Sequence, residues 1–548
     1  MQHTIGATTP GCQLVPHRLV ALLTLLASAI LLSACSARLP SPQAAARYDV
    51  VIAGGTVVDG TGSPGFRADV AVRGDRIVRI DRRRIDPALA MRVIDATGMI
   101  VAPGFIDIHP HIEALLSMPG AESKVRQGVT TMIGGPDGGS PWPIGRALAA
   151  AESAGIGPNV GYFVGHNTIR REVMGLSDRA PTPEELSRMR AMVAQAMGEG
   201  AWGLSTGLIY LPGTFATTDE IVALAEVAGD SGGIYISHIR NENDSVLLAL
   251  EEVFTIGRRA RLPVVITHHK VSGLRQWGMS VRTLAMIDSA RAAGLDVGLD
   301  QYPYTATSTS LGVLVPAWAL AGGDTAFARR LRDPVLRDSI LRAVTAELDT
   351  ARGGRHPSWV QFARVSWQRD LEGRTLADWA RARGMEPTPA ASAELVLEAM
   401  QHGAPGAVYH VLHEEDVQRI MRHPLTIVAS DGSLARPGLG HPHPRAYGTF
   451  PRVLGRYVRE LQVLRLEEAV RRMTSMPAAR VGIANRGRVA EGWFADLVVF
   501  DPATVADRAT FENPHQYPTG IPWVLVNGVA VVENGTFTDA RPGRALRR

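Results

Sequence analysis

Cysteine and lysine are both nearly absent from this chain of 548 residues. The two cysteines, Cys12 and Cys35, lie within the first 35 residues, so the rest of the chain has neither a disulfide pair nor a cysteine nucleophile. The two lysines are Lys124 and Lys270, and arginine carries almost all of the positive charge. The formal net charge is only +4 and there is no basic block, so no nucleic-acid partner is predicted.

Long apolar runs are also scarce. The run LVALLTLLASAILL at 19–32 is too short to span a bilayer comfortably and is typical of the apolar region of a signal peptide. It leads into Leu-Ser-Ala-Cys, which ends at Cys35 and resembles a bacterial lipobox. We therefore interpret 1–35 as a signal peptide with a lipobox and 36–47 as a linker, which predicts an exported, membrane-anchored lipoprotein. The alternative is an ordinary cleaved signal peptide.

Short β-branched runs separated by Gly and Asp turns occupy residues 48–103 and return in residues 485–548. Each stretch is too short to bury a core alone. The pattern predicts one small β domain that is assembled from both segments and flanks the region between them.

The region between them, 104–484, repeats a unit of a short apolar strand followed by helical pattern. The strands are GFIDIHPH, TTMIGGPDG, NVGYFVGHN, WGLSTGL, GIYISHI, PVVITHHK, LDVGLDQYPY and LTIVASDG. Eight such strands predict an α/β fold, a (β/α)8 barrel of the TIM type. About 120 residues separate the last two strands, which predicts a large insertion at about 311–424. An open doubly wound sheet is the alternative. The sequence does not favour it, because no strand leads into the glycine-rich turn that is typical of that fold.

Histidines and an aspartate end several of these strands. In a barrel of this type the carboxyl ends of the strands meet at one face, where catalytic groups lie. Imidazole and carboxylate are ligands of catalytic zinc. The sequence therefore predicts a metal site from His109, His111, His238, His268 and Asp431. A second His-Pro-His at 441–443 lies in a Gly- and Pro-rich loop, where a structural role is favoured.

The motifs GFIDIHPH, RQGVTTMIGG, GHNTIR, GLSTGLIYLPG, THHK, YPYTA, SDG and HPHPRAYGTFPRVLGRYVRE together resemble the amidohydrolase superfamily, and within it the D-aminoacylases. The resemblance extends from residue 48 to the C-terminus and implies one tight zinc site, with a second site near the first His-x-His. It implies that His238, His268 and Asp137 hold the tight zinc and that Asp431 is the catalytic acid/base. It also implies that the carboxylate side of the substrate contacts four residues: Lys270, Tyr302, Ser308 and Arg445.

Two positions depart from the family pattern. Asp137 stands where these enzymes usually have cysteine, and Pro110 separates His109 from His111 where a small hydroxyl residue is usual. A carboxylate binds zinc at about 2.0–2.2 Å and can bridge two ions, so Asp137 either favours a binuclear site or weakens the metal site. A third reading makes Asp137 only the middle of a Pro-Asp-Gly turn.

These features predict zinc-dependent hydrolysis of the amide bond of N-acyl-D-amino acids or of D-residue-containing peptides. Zinc activates water and polarises the carbonyl, and no serine or cysteine nucleophile is indicated. Another amidohydrolase activity, on dipeptides or cyclic amides, stays open, although GLSTGL lacks the lysine that such enzymes often use as a metal bridge. A non-catalytic lipoprotein binding module is the remaining alternative.

Overall fold

A computed structural model of the protein describes residues 47–352 and 354–548. The predicted signal peptide, Cys35 and nearly all of the predicted linker lie outside the described residues. Among the described residues, no helix has both the length and the apolar composition needed to cross a membrane.

The strands follow the chain in this order. They are β1 (Tyr48–Val57), β2 (Phe66–Arg73), β3 (Arg76–Asp81), β4 (Ala90–Asp95), β5 (Ile100–Pro103), β6 (Phe105–Asp107), β7 (Val129–Gly134), β8 (Asn159–Tyr162), β9 (Val164–Gly165), β10 (Gly203–Gly207), β11 (Ile234–His238), β12 (Val264–Ile266), β13 (Val297–Gln301), β14 (Thr307–Ser310), β15 (Val360–Arg364), β16 (Gly406–Tyr409), β17 (Thr426–Val428), β18 (Leu497–Phe500), β19 (Trp523–Val526), β20 (Val529–Glu533) and β21 (Thr536–Phe537).

The α-helices are α1 (Glu122–Val125), α2 (Ile144–Ala154), α3 (His166–Met174), α4 (Pro183–Gly198), α5 (Thr218–Asp230), α6 (Val246–Ala260), α7 (Ser280–Ala292), α8 (Ala317–Leu320), α9 (Asp324–Arg332), α10 (Pro334–Thr350), α11 (Leu376–Ala382), α12 (Pro389–Gln401), α13 (Glu414–Arg422), α14 (Arg445–Arg452), α15 (Leu466–Met473) and α16 (Ser475–Val481). A π-helix, Val453–Glu460, continues α14.

Strands from both ends of the described chain share one sheet, in the order β21-β20-β19-β18-β5-β1-β2-β3, with β4 paired to β1. The two ends join where β18 runs antiparallel to β5, with Leu497 opposite Pro103 and Val499 opposite Val101. Val101, Leu497 and Val499 are buried in the core of this sheet. Since β-branched residues pack well on a pleated surface, the alternating valines of the two segments form one core.

Strands β6 to β13 and β17 are parallel and form two sheets in which the strands follow chain order. One sheet is β6-β7-β8, and the other is β17-β13-β12-β11-β10-β9. Phe163 alone separates β8 from β9, and helices connect most of the strands. The strands are buried on both faces, as expected when helices cover a parallel sheet. The prediction of an α/β fold is confirmed.

The carboxyl ends of β6 and β17 lie side by side. The Asp431 amide donates to the His109 carbonyl at 2.8 Å, and the His111 amide donates to the Gly432 carbonyl at 3.1 Å. These bonds align the segment that follows the first parallel strand with the segment that follows the last one, so residues about 320 positions apart become neighbours.

The long excursion before β17 has its own sheet, β14-β16-β15, and its own core, which includes Phe362, Trp379 and Tyr409. This sheet begins at Thr307, before the predicted start at about 311. Helix α13 lies within the predicted insertion, yet it packs against α7 and β17. Both differences arise from pairing with distant residues, which local sequence patterns do not report.

Candidate metal centre and active site

Asp137 sits in a sharp turn after β7. Its φ is +54°, a left-handed conformation that aspartate tolerates better than most residues, and the neighbouring Gly138 has φ +76°. A Cβ atom on Gly138 would lie 2.1 Å from Asn167 Oδ1, so only glycine fits there. The Ser205 hydroxyl fastens the turn by donating to the Gly135 carbonyl at 2.6 Å and accepting from the Gly138 amide at 3.2 Å.

Asp137 belongs to two groups of side chains that could each hold a metal ion. The first, which we call the HxH group, contains His109, His111, Asp137 and Asp431. The second, the His238–His268 group, contains those two histidines and Asp137. Oδ1 of Asp137 lies 3.2 Å from His109 Nε2 and 3.5 Å from His268 Nε2. Its Oδ2 lies 3.5 Å from His111 Nε2 and 3.7 Å from His238 Nδ1.

Two donor atoms of the HxH group make no hydrogen bond to a described residue. His109 Nε2 and Asp137 Oδ1 are buried, and although they lie 3.2 Å apart, neither makes a hydrogen bond of acceptable geometry with any described residue. Buried polar atoms are rarely left unpaired. Imidazole nitrogens and a shared carboxylate form the donor set of a catalytic zinc site. The geometry therefore favours the ligand reading of Asp137 over the simple turn.

Two carboxylates that the sequence analysis missed orient the histidines. Asp300 Oδ2 lies 3.4 Å from His109 Nδ1, and its Oδ1 accepts from the His268 amide at 2.7 Å. Glu242 Oε1 lies 3.1 Å from His268 Nδ1. Such contacts fix the orientation of a metal-binding imidazole. The sequence positions of both residues could have suggested a role at the site. Asp300 lies near the end of β13, and Glu242 lies four residues after His238.

The electrostatics of the metal-free site are dominated by these carboxylates. Burial opposes protonation of His109, but Asp137 and Asp300 raise its pKa to about 10. Burial likewise opposes ionisation of Asp137, but His109 and His268 hold its pKa well below the ordinary value. Burial lowers the pKa of His238. A site that stabilises positive charge this strongly is suited to a metal cation.

Asp431 faces the metal groups with one oxygen and Arg445 with the other. Its Oδ1 lies 3.2 Å from His111 Nε2, and its Oδ2 lies 2.7 Å from Arg445 Nη1. Burial opposes ionisation of Asp431, but Arg445 and His268 lower its pKa. These neighbours therefore favour the ionised carboxylate of Asp431.

The second His-Pro-His positions Arg445. His443 Nδ1 accepts from the Arg445 backbone amide at 3.0 Å, and its Nε2 donates to the Ala306 carbonyl at 3.0 Å. Arg445 also donates to the Ser308 carbonyl at 3.1 Å and lies over the Tyr302 ring, 4.7 Å from its centre. This loop therefore brings Arg445 beside two of the predicted substrate-binding residues.

Lys270 is placed differently from that expectation. Its Nζ donates to Glu242 Oε1 at 2.5 Å and to the His268 carbonyl at 2.9 Å. It also lies 2.7 Å from His268 Nδ1. The ammonium is thus held behind a metal-group histidine.

The other lysine, Lys124, is fully buried beneath Asp431. It donates to the Ser430 hydroxyl at 2.6 Å and lies 3.5 Å from Asp107 Oδ2. Asp107 Oδ1 in turn accepts from the amides of His109, at 3.2 Å, and Ser430, at 3.0 Å. This cluster supports the segments that carry His109 and Asp431.

A cavity of about 420 Å³, which we call the site cavity, opens onto these groups. It is large enough for a small amino-acid derivative. Its walls include His111, Asp137, Tyr210, Ser308, Asp431 and Arg445. Lys270 and Tyr302 do not line this cavity, which separates the four predicted substrate-binding residues into two pairs.

Gly203–Gly207, strand β10, matches the G-x-S-x-G pattern of serine hydrolases, although the sequence was interpreted as having no such motif. The structure removes a nucleophilic role for its serine. Ser205 is fully buried within a strand rather than on a strand-to-helix turn, and its hydroxyl is used by the Asp137 turn.

Comparison with known proteins agrees with this geometry. The profile of the amidohydrolase family matches residues 92–532. A D-aminoacylase of Alcaligenes xylosoxydans xylosoxydans is 40% identical over 528 residues, which cover 91% of this chain and 98% of the relative. A D-aminoacylase structure solved to define the role of its binuclear metal centre is 39% identical, with a TM-score of 0.77, and covers 91% of this chain and 100% of that one.

A third protein is the N-acyl-D-glutamate deacylase of Bordetella bronchiseptica, complexed with zinc and a phosphonate mimic of the tetrahedral intermediate. It is 37% identical, with a TM-score of 0.78, and covers 92% of this chain and 100% of that one. The family predicted from the motifs is confirmed. This chain belongs to the amidohydrolase family and is a metal-dependent hydrolase that acts on amide bonds.

Proposed function

We propose that this enzyme hydrolyses the amide bond of N-acyl-D-amino acids and releases a carboxylate and a free D-amino acid. The observation that carries the proposal is the shared position of Asp137 in two metal groups that border one cavity with Asp431 and Arg445. Similarity to a D-aminoacylase and to an N-acyl-D-glutamate deacylase supports the D configuration of the substrate.

Zinc is the proposed metal. His238, His268 and Asp137 hold the tight site, and His109 and His111 hold a second ion with the same aspartate. The carboxylate of Asp137 takes the place of a cysteine thiolate and keeps its negative charge. Zinc at this position supplies Lewis-acid activation of water and of the scissile carbonyl.

Asp431 is the proposed acid/base. Its Oδ1 faces the metal groups, so it accepts the proton of the attacking water and then delivers that proton to the departing amide nitrogen. The Arg445 guanidinium holds the other oxygen and prevents rotation of the carboxylate. Because the ionised form prevails in the free enzyme, Asp431 starts the cycle as the base.

Arg445 and Ser308 bind the α-carboxylate of the substrate, since both line the site cavity. A guanidinium offers a planar pair of donors that matches a carboxylate. Lys270 and Tyr302 act from behind this wall. Lys270 anchors Glu242 and His268, and the Tyr302 ring supports Arg445.

We infer that the parallel strands close into an eight-stranded barrel, residues 104–484, flanked by a small β domain from 48–103 and 485–548. The hydrogen bonds between the segments after β6 and β17 support closure. We further propose export and lipid anchoring at Cys35. A Cys35→Ser variant should lose labelling by a fatty-acid analogue, and unchanged membrane retention would refute the anchor.

Activity on dipeptides or cyclic amides is the second candidate, favoured only by the amidohydrolase family itself. The deciding experiment is a screen of N-acetyl D- and L-amino acids, D-containing dipeptides and hydantoins, with released amine or ring opening as readout. Purified enzyme is stripped with a chelator and reloaded with zinc. Zinc-dependent release from N-acetyl-D-amino acids is expected. Turnover confined to dipeptides or cyclic amides, or full activity without metal, would overturn the proposal.

A further inference from the structure

A second cavity, of about 780 Å³, lies between the ends of the parallel strands and the inserted region; we call it the side cavity. Its wall on the strand side contains Tyr210, Arg240 and Glu242, and its wall on the insertion side contains Val313 and Arg352. It shares Arg171, Tyr210 and Leu211 with the site cavity, so the two cavities are adjacent.

Arg352 is the distinctive residue of the side cavity. It follows α10 and is only 9% exposed. Its Nε lies 3.8 Å from Glu347 Oε1, and its guanidinium makes no hydrogen bond to the residues that the structure describes. Burial lowers the pKa of Arg352, but the carboxylates of Glu242 and Glu347 raise it overall, so the group stays charged. A nearly buried cation without hydrogen bonds is costly unless a ligand completes it.

Arg240, in the same cavity, differs from Arg352 because its guanidinium is hydrogen-bonded to neighbouring residues. Its Nε donates to Glu252 at 2.8 Å, and its terminal nitrogens donate to the carbonyls of Thr214 and Ala216 at 3.1 and 3.0 Å. Arg240 is thus fully used by the fold. Of the lining arginines without hydrogen bonds to described residues, Arg275 is exposed and Arg352 is nearly buried. A carboxylate is the anion that matches the Arg352 guanidinium fork.

The site cavity is lined by metal-group residues, whereas the side cavity is lined by Tyr210 and Glu242, which contact His238 and His268. The site cavity contains Asp431 and Arg445, which act on the leaving nitrogen and the α-carboxylate in the proposed reaction. The side cavity contains Glu242 and Tyr210, and the Tyr210 ring lies 4.7 Å from that of His238. With the amino-acid half of a substrate in the site cavity, the side cavity is the neighbouring space for the acyl half, past the shared Tyr210.

The insertion side of the cavity includes several apolar residues. It contains Val313, Val315, Leu320 and Met400. Such a wall accepts methylene groups, with roughly 0.8 kcal/mol gained for each one removed from water. The same side presents Arg352. The combination describes an acyl chain that is aliphatic in the middle and anionic at its end.

We propose that the side cavity binds the acyl half of the substrate and that Arg352 selects acyl groups ending in a carboxylate, such as succinyl, glutaryl and adipoyl. This inference rests on the proposed function and deepens it. It makes Arg352 a specificity residue, with no part in the chemical step.

The test compares kcat/KM for N-succinyl-, N-glutaryl- and N-adipoyl-D-leucine with the uncharged N-butanoyl, N-pentanoyl and N-hexanoyl partners. N-acetyl-D-leucine, N-acetyl-D-glutamate and N-acetyl-D-glutamine are run in parallel. Zinc-loaded wild-type enzyme should prefer at least one carboxylate-ended substrate by about tenfold or more over its uncharged partner. Arg352→Met should reduce that ratio to near one, and Arg352→Lys should retain part of it. Arg342→Met, on the exposed side of α10, is the matched control and should keep the full ratio.

Three results would overturn the inference. The first is a wild-type preference for the uncharged acyl partners. The second is an unchanged ratio in Arg352→Met, with folding checked by thermal denaturation. The third is an Arg352→Met variant in which only the ratio of kcat/KM for D-glutamate over D-glutamine substrates changes. That result would place the amino-acid side chain in the side cavity. In all three cases turnover of N-acetyl substrates keeps the proposed function intact, whereas absence of turnover on every N-acyl-D-amino acid refutes both proposals.

Discussion

Arg445 Nη1 lies 2.7 Å from Asp431 Oδ2, and both side chains are almost fully buried. The two carboxylate oxygens of Asp431 have different partners. One oxygen is held by the guanidinium, and the other lies 3.2 Å from His111 Nε2, among the metal-group residues. An ion pair between two buried partners leaves neither charge uncompensated. The arrangement makes the position of Asp431 dependent on Arg445.

Asp431→Asn should lower kcat by about 10²–10⁴-fold, the usual scale for loss of a general acid–base group. The amide keeps the shape but no longer accepts the proton. Because Asp431 belongs only to the HxH group, metal at the His238–His268 group should remain. Steady-state kinetics and metal analysis of the purified variant check this. A near-normal kcat would assign the proton transfers to another residue.

Asp137→Ala should empty or weaken both metal groups, since the carboxylate is common to them. Zinc content should drop and turnover should nearly vanish. Asp137→Cys restores a thiolate at this position and should retain one tight zinc with measurable activity. Normal metal content and rate in the alanine variant would show that Asp137 serves only as a turn residue.

Arg445→Ala and Lys270→Met should fail in different ways. Arg445 lines the site cavity, so its loss should affect N-acyl-D-amino acids more than the corresponding amides. Lys270 contacts Glu242 and His268, so its loss should affect acids and amides equally and lower metal retention. The ratio of kcat/KM for acid over amide distinguishes the two. Equal ratios in both variants would contradict the separate placement of these residues.

Lys124→Met should destabilise the fold by about 3–5 kcal/mol, because it leaves Asp107 as an uncompensated buried charge. Adding Asp107→Asn should recover part of the loss. Urea denaturation of the single and double variants measures both effects. If the midpoint urea concentration of Lys124→Met equals that of the wild type, the buried pair has no stabilising role.

Glu468 predicts a pH-dependent contribution to stability. Partial burial favours its protonated form, but hydrogen bonds from Arg471 and Arg472 lower its pKa to about 2 from an ordinary value of 4.5. A lowered carboxyl pKa stabilises the fold above the unfolded-state value, and this stabilisation is lost as pH falls toward the folded-state value. Glu468→Gln should therefore lower Tm at pH 7, and the difference from wild type should shrink between about pH 4.5 and 2. Glu467→Gln, the matched control, should show no such trend.

Much of the fold follows from local patterns in the chain. Every apolar run assigned as a parallel strand contains one, because short β-branched segments bounded by Gly and Asp report strands without reference to the rest of the molecule. The histidines and Asp431 were found for the same reason, since each lies within a few residues after an apolar run. His238 ends β11, and His268 follows β12 by two residues.

The sequence by itself therefore determined the α/β class, the family and the residues that could bind a metal. Only the tertiary structure decided how those residues are supported. Asp300 meets His109 across 191 positions, and Asp107 meets Ser430 across 323. Contacts of this range depend on which strands pair and on where the insertion packs, and local propensity carries no record of either. For the same physical reason, local patterns did not report three positions. Lys270 contacts Glu242, Asp137 belongs to both metal groups, and Arg352 lines the side cavity.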